Sequence, residues 1–341
     1  MSASSSRDWP RVDLHVVTGK GGTGKSTVAA ALALALASTG KNVLLCEVEG
    51  RQGISQMFDV DPLPYEERRI ARGLAGPKGK AGNVFALHID AESALLEYLA
   101  MYYRLGRAGR ALDRFGVIDF ATTIAPGVRD VLLTGKVFEA ARHNRRKGAS
   151  SRTGVDYDAI VLDAPPTGRI TQFLNVNSEL AGVAKVGPIK TQADTVMTLF
   201  RSPRTAVHLV TVLEEMPVQE TADGIADLRR AQLPVGAVIV NRVRPRDIAP
   251  ADLEAAAAGQ LDAARVAADL AEVGVGDDPE LVSGLVAEAR DHAERRALED
   301  AQRQVVAELD VPAYELPLLP GGVDLGGLYE LAGDLAKQGL A

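Results

Sequence analysis

The sequence predicts an α/β fold with a doubly wound, mostly parallel sheet and an inserted α-helical subdomain. Short apolar runs rich in Val, Ile and Leu alternate with longer Ala- and Leu-rich segments. This order is typical of a parallel sheet with helices on both faces. Aromatic residues make up only 4% of the chain, so small aliphatic side chains must fill the interior, as in proteins with many packed helices.

Seven runs have the composition of buried strands. Each is apolar or rich in β-branched residues and leads into a turn that contains Gly, Pro or polar residues. They lie at residues 12–17, 43–48, 84–89, 159–162, 206–212, 235–240 and 313–316. Helices are expected at residues 26–38 and 325–337, and residues 61–82, rich in Pro, Gly and charge, are expected to form an exposed excursion.

The domain organisation follows from changes in this pattern. Residues 1–11 are Ser-rich and expected to be disordered, and residues 12–341 are expected to form a single domain. Apolar residues take helical spacing over about residues 91–147, which predicts the helical insert. Residues 249–310 are rich in Ala, Glu and Arg and predict an additional helical region.

Charge and cysteine content exclude several classes of function. The formal charge of −7 disfavours binding to nucleic acid or to anionic membranes. The basic run at residues 142–152 lies among Gly, Ser and Asn, so a solvated loop is favoured over a site for an acidic partner. Cys46 is the only cysteine, so no zinc or iron–sulfur cluster is expected. Because no signal-like start and no membrane-spanning run occurs, a cytoplasmic location is expected.

Residues 19–27 read Gly-Lys-Gly-Gly-Thr-Gly-Lys-Ser-Thr, which satisfies the G-x-x-x-x-G-K-[ST] pattern of phosphate-binding loops. Backbone N–H groups in such a loop point at phosphates, and the following helix N-terminus adds its positive dipole end. Lys25 is expected to reach the β- and γ-phosphates, Ser26 to bind Mg²⁺ and Thr27 to contact the α-phosphate side. A chance Gly-rich turn is the alternative, which the flanking strand and helix disfavour. The other predicted phosphate contacts are Gly19, Lys20, Gly21, Gly22, Thr23 and Gly24.

A second predicted phosphate-side element is the apolar strand that ends at Asp163. Ligands in open parallel sheets bind at the carboxyl ends of the strands, where this aspartate lies. Asp163 is therefore expected to hold Mg²⁺ through water, and residues 165–168, with Pro166 as a nucleotide contact, are expected to form a switch segment. The alternative is that Asp163 only caps the next helix.

Lys20 directly follows the first glycine, so the loop resembles the deviant Walker A loop of the superfamily of ArsA, MinD, ParA and the nitrogenase iron protein. The Asp-Ala-Pro-Pro-Thr-Gly string from Asp163 and residues 211–221 resemble the ArsA branch, which contains arsenite-pump ATPases and the ATPase that targets tail-anchored membrane proteins. The resemblance runs from Leu14 to about Lys337. It implies a P-loop NTPase fold, ATP and Mg²⁺ as cofactors, and ATP hydrolysis.

The resemblance also implies roles for individual residues. In the superfamily the lysine at the place of Lys20 reaches the nucleotide of a partner subunit, so a homodimer, or a heterodimer with a paralogous ATPase subunit, is implied. Asn241 corresponds to the residue that binds the base, and Pro317 lies where the family closes over it. No Asn-Lys-x-Asp guanine motif occurs, which favours ATP.

The chain departs from the family at the residue that positions the attacking water. The family has an aspartate there, whereas counting from the second predicted strand places Glu49 at this position, with Glu47 on the same face two residues earlier. A longer carboxylate is expected to orient water less well, so hydrolysis is expected to be slow. The alternative is that both glutamates are surface acids at the end of the strand.

The chain also lacks the Cys-x-x-Cys pair that binds zinc in the targeting ATPase and the cysteine cluster that binds arsenite in the pump ATPase. Met101 is the only methionine in the predicted insert, where the targeting ATPase has a methionine-rich groove for its hydrophobic cargo. Four apolar residues of the insert could line such a groove for a hydrophobic cargo or membrane-protein partner, although core packing is favoured for each. They are Leu95, Tyr102, Val131 and Phe138.

Two functional hypotheses follow. The first is an ATPase whose subunits close on ATP and open after hydrolysis, which changes a helical lobe that meets a partner. The second is a nucleotide-gated carrier, or a positioning protein of the MinD type, with negligible turnover. The C-terminal residues 328–341 carry two acidic residues and one lysine, which argues against a membrane-binding basic helix.

Overall fold

The computed structural model describes residues 9–48, 52–75, 79–103, 126–143, 155–175 and 188–341. At the centre of these residues lies one eight-stranded sheet. Its strands are β1 (Leu14–Gly19), β2 (Val43–Glu47), β3 (Arg68–Arg72), β4 (Asn83–His88), β5 (Ala159–Asp163), β6 (Thr205–Thr211), β7 (Val235–Val243) and β8 (Ala313–Pro317).

The strand order is β3-β4-β2-β5-β1-β6-β7-β8, and every neighbouring pair is parallel except β3 with β4. The chain thus starts in the middle of the sheet and builds outward on both sides, which confirms the predicted doubly wound α/β fold. All seven predicted strands are present. The eighth, β3, lies inside the excursion predicted at residues 61–82. Its sequence, Arg-Arg-Ile-Ala-Arg, is charged and mostly exposed, as suits an edge strand, so it lacks an apolar signal.

The described residues form eleven helices, most of which cover the two faces of the sheet. They are α1 (Lys25–Ser38), α2 (Gly53–Met57), α3 (Ala91–Tyr103), α4 (Pro126–His143), α5 (Thr167–Leu174), α6 (Pro188–Phe200), α7 (Glu215–Arg230), α8 (Pro250–Ala257), α9 (Ala263–Glu272), α10 (Pro279–Ala307) and α11 (Leu325–Lys337).

Successive strand residues point to opposite faces, so the sheet separates two apolar layers. Val43 and Leu45 of β2 belong to the layer under α1 and α11, whereas Leu44 and Cys46 belong to the layer under α4 to α7. All ten residues 28–37 of α1 are buried, and most are alanine or leucine. The small alanine side chains let α11 and the sheet approach α1 closely.

Two histidines are buried on the central strands. Nδ1 of His15 on β1 and Nε2 of His208 on β6 are 3.0 Å apart, and the two rings are stacked. The N–H of Ala237 donates to Nδ1 of His208, so His208 carries its proton on Nε2 and donates it to His15. Burial lowers the pKa of His208 to about 4. Burial, followed by the neighbouring His208, lowers the pKa of His15 well below its usual value, so both rings are neutral at pH 7.

Helices α3 and α4 occupy the region of the predicted insert. Leu95 and Val131 are 7% and 1% exposed, and Phe138 packs against the core on the α4 side of the sheet. These three side chains therefore serve as packing residues and leave little apolar surface for a groove. The side chains of Met101 and Tyr102 lie outside the described part of the chain, as does most of the basic run at residues 142–152.

The C-terminal helical region, residues 250–307, consists of α8, α9 and α10 and is helical as the sequence predicts. Both shorter helices pack on the 29-residue helix α10, and α9 has no buried residue. Among the helices that the structure describes, none combines the length and the apolar character needed to cross a bilayer.

Candidate nucleotide site

The loop between β1 and α1 depends on two of its glycines. A Cβ atom on Gly19 would lie 2.2 Å from the carbonyl oxygen of Val210 on β6, so no other residue fits at the end of β1. Gly24 has a φ of +90°, and a Cβ there would lie 2.4 Å from Nδ2 of Asn241. By contrast, Cβ atoms on Gly21 and Gly22 would meet no described atom within 4 Å. The outer side of the loop is therefore open to a ligand.

Hydrogen bonds inside the protein fix the shape of the loop. The hydroxyl of Thr23 donates to the carbonyl oxygen of Lys20 over 2.9 Å, and Nδ2 of Asn241 donates to the carbonyl oxygen of Thr23, also over 2.9 Å. Gly24 caps α1 without a side chain, so it leaves the first N–H groups of the helix available. An open helix N-terminus on a preformed loop is suited to bind an anion such as phosphate.

The structure brings Ser26 and Asp163 together. Strand β5 lies beside β1, with Asp163 in register with Val17, and the hydroxyl of Ser26 donates to Oδ2 of Asp163 over 2.5 Å. Asp163 does not cap the next helix, because the residue at the N-cap of α5 is Pro166. A hydroxyl and a carboxylate oxygen are the types of ligand that Mg²⁺ prefers.

The segment after β5 is fixed to the same edge of the sheet. The hydroxyl of Thr18, at the end of β1, donates to the carbonyl oxygen of Pro165 over 2.7 Å. Pro166 then leads into α5 and is partly buried, but it is not among the residues that line the cavity described below.

The two lysines of the loop have different surroundings. Nζ of Lys20 lies 2.8 Å from Oε1 of Glu220 on α7, and their side chains are 30% and 38% exposed. Oε2 of Glu220 accepts a 3.5 Å hydrogen bond from Thr167, the first residue of α5. Lys25 is partly buried and is the first residue of α1, at the open N-terminus of the helix. Within the described residues, the first lysine is therefore paired with an acidic group of the same chain.

A cavity of about 590 Å³ lies beside the loop. This volume is in the range of sites for small molecules and is large enough for a nucleoside. Asn241 and Pro317, the two predicted base contacts, both line it. Gly24 and Thr27 connect it to the phosphate loop, and Arg244 and Glu299 form part of the wall.

Glu47 is buried, with 2% exposure. Its Oε1 accepts a hydrogen bond of 2.8 Å from the N–H of Gly53, and Oε2 lies 3.3 Å from Nδ1 of His88. The alternative that Glu47 is a surface acid is therefore wrong, because the chain folds back at Gly53 and covers the strand end. Glu49 lies outside the described residues.

The charged residues of this site for which the sequence predicts no role include Glu220, Arg244 and Glu299. Arg244 and Glu299 belong to no motif, and Glu299 lies on a mostly exposed helix, where a glutamate carries no signal. Glu220 lies within residues 211–221, but the resemblance of this string to the ArsA branch gives Glu220 no role of its own. Arg244 follows Asn241, a predicted base contact, by three residues, and this spacing was the one available clue to its place in the site.

A glycine loop that joins the central strand of a doubly wound sheet to a helix, with a serine and a strand-end aspartate at the same edge, defines an α/β P-loop NTPase. The chain belongs to the ArsA ATPase family: the family model, described as anion-transporting ATPase, matches residues 13–203. The predicted family is thereby confirmed. The match covers the loop and Asp163, whereas the cavity wall from Asn241 onward lies beyond it.

Individual relatives agree with this assignment. The protein named ATPase BagA from Mycobacterium tuberculosis (strain ATCC 25618 / H37Rv) is 52% identical over 344 aligned residues, which cover 99% of this chain and 98% of the relative. The arsenical pump-driving ATPase of Escherichia coli is 26% identical over 74% of this chain and 44% of its own length. That of Acidiphilium multivorum is 26% identical over 72% of this chain and 42% of its own length.

Proposed function

We propose that the protein is a dimeric ATPase that binds and hydrolyses Mg-ATP and thereby changes how a helical lobe meets a partner. One observation carries the proposal: the glycine loop, Lys25 and the Ser26–Asp163 pair converge at the N-terminus of α1, beside a cavity of nucleoside size. The family assignment supports hydrolysis as the reaction.

The residues at this edge fit a magnesium nucleotide. The hydroxyl of Ser26 and the carboxylate of Asp163 would hold Mg²⁺, the latter through water, and the bound ion would neutralise negative charge on the β- and γ-phosphates. The loop N–H groups and the ammonium group of Lys25 bind the phosphate oxygens. Because the loop is held by its own hydrogen bonds, these donors are in place before the nucleotide arrives.

Asn241 can connect the loop to the base. Its Nδ2 donates one proton to Thr23, and its Oδ1 accepts from the N–H of Arg242 over 3.0 Å. A primary amide has two donor protons and two acceptor lone pairs, so one donor and one acceptor site remain. This pair matches the N7 acceptor and N6 amino group of adenine. The cavity, with Pro317 on its wall, therefore suits ATP.

We assign the two acidic residues after β2 different roles. Both carboxylate oxygens of Glu47 already have partners, Gly53 and His88, so Glu47 connects the end of β2 to the start of α2 and to the end of β4. Glu49 lies between β2 and α2 in the sequence and is left to position the attacking water. A glutamate there, instead of the family's aspartate, supports slow hydrolysis.

Dimerisation is the part of the proposal that rests on the resemblance of the loop. Lys20 would reach the phosphates of the partner subunit's nucleotide, and the partner is either a second copy of this chain or a paralogue. We place the dimer in the cytoplasm. In a single chain Lys20 is bound to Glu220. A contact with the other subunit therefore requires Lys20 to exchange the carboxylate of Glu220 for a phosphate. Both groups are negatively charged, so either can bind the ammonium group.

The second candidate function is a nucleotide-gated carrier with negligible turnover. It is favoured by the commitment of Glu47 to structural hydrogen bonds, which removes one of the two predicted water-positioning groups. The burial of Leu95 and Val131 gives no support to a groove for hydrophobic cargo at those residues. Phosphate release, measured with excess Mg-ATP and with and without a candidate partner, separates the two functions.

The substitution Lys25→Ala tests the proposal. It is expected to abolish hydrolysis and to weaken Mg-ATP binding at least about tenfold, because the phosphates lose the ammonium group that binds them. Lys20→Ala should retain ATP binding and lose most hydrolysis, since its contact is made in trans. Lys190→Ala, which removes an exposed pair with Asp194, is the matched control and should change neither quantity. Normal hydrolysis by the Lys25 variant would overturn the proposal.

A further inference from the structure

The long C-terminal helix α10 contributes a side chain to the cavity that the proposed function gives to the nucleoside. Glu299, in the last third of α10, lines this cavity together with Arg244, which comes just after β7. Fifty-five residues separate the two along the chain. The wall of the site thus combines the sheet with the C-terminal helical region.

Glu299 is deeply buried and bound on both sides. The residue is 5% exposed, and its two carboxylate oxygens accept from two different guanidinium groups. Nη1 of Arg244 donates to Oε1, and Nη1 of Arg296 donates to Oε2 over 3.1 Å. Arg296 is itself 4% exposed and also reaches Asp300 over 3.4 Å. A carboxylate at this depth is stable only with such charge-assisted partners, which fix its position.

Arg244 is held at one end and open at the other. Its side chain is 40% exposed, so only part of the guanidinium is covered by the bond to Glu299. A guanidinium is planar and carries five N–H donors, and its faces can stack on an aromatic ring. Donors that remain can reach acceptor atoms of a ribose or a base. A guanidinium that is held by Glu299 on one side and exposed on the other is suited to recognise a nucleoside.

A second ion pair connects α10 to β8, the strand next to β7. Nε of Arg303 donates to Oε1 of Glu315 over 2.6 Å. Glu315 lies on β8, two residues before Pro317, which lines the same cavity. Helix α10 is therefore attached to the cavity through two strands, β7 and β8.

We propose that Arg244 contacts the nucleoside part of the bound nucleotide and that Glu299 is the positioning residue that holds its guanidinium in place. The C-terminal helical region is then a structural part of the nucleotide site. This inference rests on the proposed function, which places ATP in the cavity. It adds that α10 positions the side chain that recognises the nucleoside.

The test compares ATP with inorganic tripolyphosphate, which carries the phosphates without a nucleoside. Dissociation constants are measured by calorimetry on the full chain with Mg²⁺. Arg244→Ala should weaken the binding of ATP about tenfold and change the affinity for tripolyphosphate by less than about twofold. Glu299→Gln should also weaken the binding of ATP. In the Arg244→Ala background, Glu299→Gln should add no further loss, because Glu299 acts through Arg244.

Glu288→Gln is the matched control, because Glu288 lies on the same helix in an exposed 3.0 Å pair with Arg295. It should change neither dissociation constant. Unchanged ATP binding by Arg244→Ala, equal losses for both ligands, or a full additional loss from Glu299→Gln in the Arg244→Ala background would each overturn the inference.

If Glu299→Gln does not fold, Arg244→Lys provides the test. This variant is expected to fold, because the Arg244 side chain is 40% exposed and Glu299 retains its bond to Arg296. Arg244→Lys should weaken the binding of ATP but not that of tripolyphosphate, because an ammonium group lacks the planar fork of a guanidinium. Wild-type affinity for ATP would overturn the inference. A wild-type chain that binds neither ligand contradicts the proposed function itself. A wild-type chain that binds both, with unaltered ATP binding in the Arg244 variants, contradicts only the inference.

Discussion

The phosphate half and the nucleoside half of the candidate site are built in different ways. The phosphate half consists mainly of consecutive residues in one loop, fixed by close contacts at Gly19 and Gly24, with Asp163 of β5 as a distant member. The nucleoside half is assembled from side chains far apart in sequence, joined by ion pairs such as Arg244 with Glu299. The first half is thus specified by local geometry and tolerates little change, whereas the second depends on contacts that can vary while the fold is kept.

The largest expected effect is on the phosphate half. Gly19→Ala would place a Cβ 2.2 Å from the carbonyl oxygen of Val210, so β1 and β6 must separate. We expect a loss of about 3 kcal/mol or more in the free energy of unfolding, measured by urea titration. Gly21→Ala is the control, because its Cβ meets no described atom within 4 Å, and it should cost less than about 1 kcal/mol. Equal losses for the two variants would remove the contrast between packed and open positions.

Low pH should reduce the free energy of unfolding, because two buried histidines lie on the strands beneath the loop. An unfolded histidine titrates near pH 6.5, whereas His208 in the folded protein has a pKa of about 4. Between these values the unfolded state binds more protons, so stability is full above about pH 6.5 and falls as the pH drops to about 4. His208 alone contributes a loss on the order of 3 kcal/mol, and His15 acts in the same direction.

Unfolding titrations at pH 7 and pH 5 measure this loss. The variant His208→Gln lacks the titrating ring and should show a clearly flatter pH dependence than the wild type. Identical pH dependence in the two proteins would show that the buried pair is not responsible.

Asn241 joins the two halves, so its removal should affect both. Asn241→Ala leaves the carbonyl oxygen of Thr23 without this donor and takes an amide from the cavity. We expect a loss of about 1 kcal/mol in stability. Binding of ATP should weaken about tenfold, and that of tripolyphosphate by less, as measured by calorimetry. If tripolyphosphate binding falls as much as ATP binding, Asn241 acts only through the loop.

The smallest effect on stability is expected for Glu220→Gln. The pair with Lys20 is about one-third exposed, so its loss should change the free energy of unfolding by less than about 1 kcal/mol. ATP affinity should remain unchanged. The freed lysine should raise the rate of phosphate release if it must leave Glu220 to reach the partner's nucleotide. A rate that falls instead would mean that Glu220 itself supports the reaction.

The sequence was sufficient wherever the signal is local. The seven apolar strands, helix α1 and the glycine loop each come from a continuous pattern whose period or composition is dictated by burial. Strand β3 was missed because an exposed edge requires no apolar residues. Glu299 could not be predicted, because besides Arg296 on the same helix it is bound by Arg244, which lies 55 residues away along the chain. The roles assigned to the site residues stay predictions until they are tested.

Glu47 and Asn241 are predicted site residues whose hydrogen-bond partners could not be predicted from the sequence. These partners are set by the tertiary fold. Glu47 bonds to Gly53, where the chain returns to the strand end, and Asn241 bonds to a carbonyl oxygen 218 residues earlier in the chain. Residue type and strand position locate such groups at the correct edge of the sheet, but only the folded chain shows how their donors and acceptors are used.

The complete burial of residues 28–37 limits how the protein can respond to a ligand. A helix without an exposed side over this length cannot slide or rotate unless the core on both flanks opens, which would expose many apolar atoms at once. Helix α1 should therefore remain stationary during an ATP cycle. Motion is left to shorter elements at the same edge, such as the five-residue α2 and the eight-residue α5, whose displacement exposes far less apolar surface.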